Sequence, residues 1–208
     1  QDGDKKLAIS TLEEIAKSRT RRNALRAELL KELKRLSDLW HQEFKEIEAE
    51  IRKLNDSQGA LRIIPHYKGD KAAFVRELQT HFRGSRLREA TLLGVLDQHA
   101  DFISVYEGLD SICNGLGESG DVFRRYFNES KGTLLTWQVP NLFRIEYHGK
   151  ELRDHSLGQR ASALILFILS QRDNDVIVID QPEDDLDNQT IFEDVIKLVR
   201  TLKKSIQF

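Results

Sequence analysis

The chain has 208 residues and a mass of 24.0 kDa, room for one large domain or a domain with an appendage. Charged residues make up 32% and hydrophobic ones 39%, a balance that suits a globular core with a long solvated helical arm. The formal net charge of -2 excludes a wholly basic nucleic-acid binder, though not local basic faces. The longest apolar run, residues 163–169, is far too short to cross a bilayer. The opening residues do not read as a secretory signal, so none is expected there. The single cysteine, Cys113, excludes an internal disulfide and fits a reducing, cytoplasmic compartment. Methionine is absent even at position 1, which leads to the expectation of an internal fragment of a longer protein.

The first 57 residues read as a helical arm and residues 58–208 as a lobe. Leu29, Leu33, Leu36, Trp40, Phe44, Ile47, Ile51 and Leu54 recur at steps of four and three, the spacing of a coiled-coil seam. Arg19, Arg21, Arg22 and Arg26 cluster upstream of that seam; they make either a solvated face or a contact to a phosphate backbone. A run of turn formers at 55–59 ends the arm. Residues 61–67 then read as a strand, with Pro65 favouring an edge or an end. Asp70 is placed to cap a helix over 71–82. A second helix is expected over 87–109, a loop over 114–121, and strands over 133–139 and 142–148.

The last third carries most of the chemistry. Ser156-Leu157-Gly158-Gln159 precedes a strongly apolar helix. Ser156 is a good helix cap, and Gly158 lets a ligand approach the backbone. The N–H groups and dipole of such a helix start suit a phosphate. Next comes Val176-Ile177-Val178-Ile179-Asp180, four apolar β-branched residues that read as a parallel strand buried on both faces. Asp180 would emerge at its carboxyl end, where open α/β sheets bind ligands. Residues 173–196 hold nine carboxylates and no Lys or Arg, a cluster suited to a cation such as Mg²⁺.

Together these segments resemble an ABC-type ATPase head. Ser156-Leu157-Gly158-Gln159 is similar to the signature motif, residues 176–180 to the Walker B strand, and Leu186-Asp187 to the D-loop. With a coiled-coil-like arm upstream, the order resembles the SMC-like branch. The run from Ile179 to Asn188 is similar to bacterial TrlF-type SMC-like ATPases, some of them fused to a PHP-type phosphoesterase domain. The resemblance implies an α/β fold: the second lobe of a P-loop ATPase head, mainly a parallel sheet with helices, plus the helical arm. It implies that Ser156 and Gly158, with Leu157 and Gln159 in the same turn, contact the γ-phosphate of ATP held by a second protomer. Asp180 would hold Mg²⁺ through a water, and Asp187 would work across a homodimer of heads. DNA repair, DNA maintenance or phage defence enters by analogy alone.

Three departures qualify that reading. No G-x-x-x-x-G-K-[ST] occurs in the chain, so a Walker A lobe must come from upstream in a parent chain or from a separate chain, and this chain alone should be inactive. The chain stops at Phe208, where the family's next strand leads to its switch histidine. Gln181 stands where the family has its catalytic glutamate, and Glu183 is the candidate replacement. The alternative is an ATP-binding and dimerisation module whose hydrolysis has decayed. A metal-dependent phosphoesterase built on Glu183, Asp184, Asp185 and Asp187 leaves the signature turn unexplained. The glycines at 115, 117 and 120 fit G-x-G-x-x-G, but a helical stretch precedes them where a dinucleotide site needs a strand. The six histidines have no metal-ligand spacing. His155, beside the signature serine, is either structural or part of an interface.

Overall fold

The computed structural model describes residues 2–57, 61–170, 176–178, 196–203 and 207. It corrects the expected fold class. Among the described residues the chain is mainly helical, and its sheet has three antiparallel strands. It is not a mainly parallel ATPase lobe. Two runs read as strands account for the error. Residues 133–136 belong to a helix, and the described part of the run starting at Val176, residues 176–178, carries an isolated parallel bridge from Val176 to Gln207.

Helix α1 (Asp2–Ser57) is continuous, as the uninterrupted pattern predicts. Part of its seam is buried within the chain. Leu33, Phe44 and Ile51 are buried, and they pack within the chain itself. The chain divides into two compact units, one of Gln1–Gln42 with Asp70–Val139, the other of Glu43–Gly69 with Pro140–Phe208. Leu29, Leu30, Leu33 and Trp40 join the core of the first. The Phe44 ring lies tilted against Tyr67, centroids 5.2 Å apart, in the second.

The first unit adds α2 (Lys71–His81), α3 (Glu89–Asp97), α4 (Phe102–Glu107), α5 (Leu109–Gly115) and α6 (Glu118–Thr136). Asp70 caps α2 as expected, its Oδ1 accepting from the Ala73 N–H at 2.8 Å. The single helix expected over 87–109 is cut at Asp101. That carboxylate accepts from the Ser104 N–H at 2.7 Å while Ser104 Oγ faces the Asp101 N–H at 3.3 Å. The reciprocal cap starts a new helix where apolar periodicity alone shows no break. The core is aromatic: Phe74, Phe102, Phe123 and Phe127 are fully buried, with Phe74 edge-on to Phe102 at 4.6 Å. Phe123, Phe127 and Leu134 lie on the buried face of α6, and this face carries the helix through residues read as a strand.

The glycines of the apparent G-x-G-x-x-G build the α5–α6 corner. Gly117 turns the chain at φ +55°, where a side chain would be strained. A Cβ at Gly120 would run into the Cys113 carbonyl.

In the second unit, β1 (Leu61–His66) pairs antiparallel with β2 (Leu142–Tyr147), Ile63 opposite Ile145, and β2 pairs with β3 (Lys150–Glu151). Among the described residues β1 is an edge strand, which tolerates Pro65. Its open side is met by Asn55 from α1, whose Nδ2 donates to the Ile63 carbonyl and whose Oδ1 accepts from the Ile63 N–H, both at 2.8 Å. A single turn of 3₁₀ helix (Leu152–Asp154) leads to α7 (Leu157–Ser170), and α8 (Ile196–Leu202) follows. Leu61, Tyr147, Ala163 and Leu202 form the core of this unit. None of the described helices is long and apolar enough to cross a membrane.

Two outcomes follow from the first unit. Gly120→Ala should destabilise it by about 3 kcal/mol, because the corner must open to admit a methyl group; an unchanged urea midpoint would contradict the close α5–α6 approach. Asp110 receives hydrogen bonds from Arg124 at 2.5 Å and Arg26 at 3.2 Å, and these hold its carboxyl below the usual carboxylate range. The stabilisation is therefore present above the ordinary carboxylate pKa and lost as pH falls through the depressed value. The pair is exposed, so the gain is less than about 1 kcal/mol and shrinks with salt. Asp110→Asn should lose less stability than the parent between neutral pH and about pH 3, read by chemical denaturation at each pH.

Candidate functional site

The candidate site is the turn between β3 and α7. Ser156 is the residue before the helix, and the cap it forms is reciprocal. Its Oγ accepts from the Gln159 N–H, and Gln159 Oε1 accepts from the Ser156 N–H, each at 3.2 Å. This is the S-x-x-Q form of the capping box. The Ser156 carbonyl takes the first helical bond, from the Arg160 N–H at 3.0 Å. Ser156 itself is exposed, and Leu157 is 68% exposed. Gly158 and Gln159 are half-buried behind them.

His155 fastens this turn to the β2–β3 hairpin. Its Nε2 lies 2.9 Å from the Tyr147 carbonyl and 3.3 Å from the Lys150 carbonyl, and its Nδ1 lies 3.1 Å from Gln159 Oε1. The ring stands edge-on to Tyr147 at 5.5 Å. Lys150 Nζ adds a bond to the Asp154 carbonyl at 2.8 Å. Thus the cap is anchored from behind by an imidazole whose position in the sequence, directly before Ser156, was the only sign of it. His155 is a positioning residue here, holding the side chain that caps the serine. Arg153 pairs with Glu151, which also lies 3.8 Å from Arg144.

Helix α7 has two apolar faces. Ala163 is buried, and Ile165 and Phe167 pack against the core. Leu164 and Ile168 are 51% and 47% exposed, and with Leu157 they line an open apolar surface. Val176 and Val178, expected in a strand covered on both faces, are 56% and 89% exposed.

The structure therefore brings together Ser156, Leu157, Gly158 and Gln159, and adds His155. The other sequence-predicted positions, Asp180, Gln181, Glu183, Leu186 and Asp187, lie outside the described residues, as do Asp184 and Asp185. Among the described residues no group of three or more His, Cys, Asp or Glu could hold a metal ion. His66 Nε2 is buried with no hydrogen-bond partner among them.

His155→Ala should strip the donor from two hairpin carbonyls and loosen the cap, costing about 1–2 kcal/mol of stability. Thermal and urea unfolding measure this, and a variant as stable as the parent would show that the imidazole is not the fastening. In comparisons with known proteins, no family model, no curated protein and no solved structure matches the chain.

Proposed function

We propose that this chain supplies a signature-type turn to an SMC-like ATPase, contacting ATP that is bound mainly by another lobe. The observation that carries the reading is the exposed, pre-shaped Ser156 cap beside an uncovered apolar face of α7. Three large side chains on one helix face, Leu157, Leu164 and Ile168, are left in water, the kind of patch that marks an interaction surface. A Walker A lobe, from the parent chain or a separate one, is the partner that would cover them.

The described residues fit a phosphate at this turn. Ser156 Oγ uses a lone pair on the Gln159 N–H, so its own proton remains to donate to a phosphate oxygen. The start of a 14-residue helix adds a favourable dipole. ATP bound there would supply the phosphoanhydride to be cleaved. What Ser156 and its turn would do is orient and neutralise the terminal phosphate, the larger part of phosphoryl-transfer catalysis. The resemblance assigns Mg²⁺ to Asp180, water activation to Gln181 or Glu183, and the cross-dimer contact to Asp187. A second head and DNA complete the proposed assembly, DNA by analogy alone.

The test is ATP turnover. The chain alone should have none. Assembled with a Walker A lobe from its parent protein, it should gain turnover that Ser156→Arg lowers by about 100-fold. Hydrolysis by the isolated chain, or full turnover by the Ser156→Arg assembly, would overturn the assignment. An assembly that binds ATP and dimerises without turnover would favour the decayed module, for which Gln181 is the sequence mark.

A further inference from the structure

A groove in the first unit carries a second candidate for phosphate chemistry, independent of Ser156. It lies between α1 and α6, has a volume of about 650 Å³, and is lined by Arg21, Arg22 and Arg26 from α1 and by Arg124 and Lys131 from α6. Asp110 is the sole carboxylate in its lining. The volume is that of a small-ligand site. Five cations facing one carboxylate repel one another, and that arrangement favours a multivalent anion between them.

Two details sharpen the ligand. Arg26 and Arg124 both donate to Asp110, at 3.2 and 2.5 Å, so two guanidinium groups are already turned toward one acidic group in the way that a phosphate would hold them. Arg26 also donates to the Tyr106 carbonyl at 3.4 Å, and its guanidinium lies 5.3 Å from the Tyr106 ring centre. Lys131 Nζ lies 5.8 Å from the same ring. Tyr106 is 7% exposed, so it fixes the cations and offers no face on which a base could stack. Residues 15–27 of α1 contain Lys17, Arg19, Arg21, Arg22 and Arg26 with no Asp or Glu. Arg21 and Arg22 therefore have no acid one turn away to neutralise them. The groove reads charge rather than bases.

We infer that this groove binds a condensed oligophosphate anion, with Arg21, Arg22 and Lys131 taking the outer phosphates and Arg26 and Arg124 the one that displaces Asp110. The inference does not rest on the ATPase reading, since no groove residue belongs to the signature turn.

The experiment is calorimetric titration of the full chain with sodium tripolyphosphate at low salt, with a short oligothymidylate as the parallel probe. Tripolyphosphate should bind, and more weakly as salt rises. Arg22→Glu, a change on an exposed helix face, should weaken it by about ten-fold or more while leaving the circular dichroism spectrum intact. Asp110→Asn should bind several-fold tighter, because the competing carboxylate is gone. Ser156→Arg should leave this binding unchanged, which separates it from the signature turn. No binding of tripolyphosphate, equal binding by Arg22→Glu, or tighter binding of the oligothymidylate would overturn the assignment, the last in favour of a nucleic-acid strand.

Discussion

The apolar stripe of α1 is the constraint under which both units fold. In a helix of 56 residues, most of the stability comes from burying an apolar face rather than from propensity. Here the burial is divided: Leu33 enters the aromatic core of the first unit, while Phe44 packs on Tyr67 in the second. Each such side chain contributes about 1.5–3 kcal/mol by leaving water. The exposed Ile9, Leu12 and Ile15 continue the apolar character of the helix beyond the part so used.

The signature-type turn shows how a weak local signal becomes a defined geometry. A serine before a helix is common. What distinguishes Ser156 is what stands behind it: His155 Nε2 lies against the hairpin carbonyls, its Nδ1 lies 3.1 Å from Gln159 Oε1, and that oxygen accepts from the serine amide. Each contact is modest alone, but the serine side chain is held by its bond from the Gln159 N–H. The hydroxyl is presented at the surface already held in the cap, which would lower the entropic cost of the phosphate contact proposed above. An open apolar face on α7 beside that hydroxyl is the complementary half of the same arrangement.

Local chemistry was legible where one residue decides the outcome. Asp70 as a cap, Pro65 on an edge strand and Ser156 at the start of α7 all follow from residue type. What failed to show was long-range competition. The heptad-like spacing of α1 is the same whether the seam meets another helix chain or this chain's own cores. The 87–109 segment is apolar enough for one helix, yet it divides after Asp97, where Asp101 pairs with Ser104 to start a new helix, and again at Gly108. Residues 133–136 have strand composition, yet Leu134 continues a helical face already buried through Phe123 and Phe127. The expected parallel sheet rested on the β-branched run at 176–179, whose described part carries a bridge rather than a strand. The basic groove needs residues more than eighty positions apart, so only the Arg-rich half of it was visible in sequence.

Asn55 shows how thin the protection of a sheet edge can be. Its side-chain amide imitates a neighbouring strand for one residue, giving Ile63 both a donor and an acceptor. Only an amide can do this, because a carboxylate has no donor at neutral pH. Slow chemical ageing of Asn55 to aspartate would leave the Ile63 carbonyl facing negative charge and push the end of α1 away from β1. The uncovered edge would then be a template for another strand, so a one-atom change at the surface would become a route to self-association.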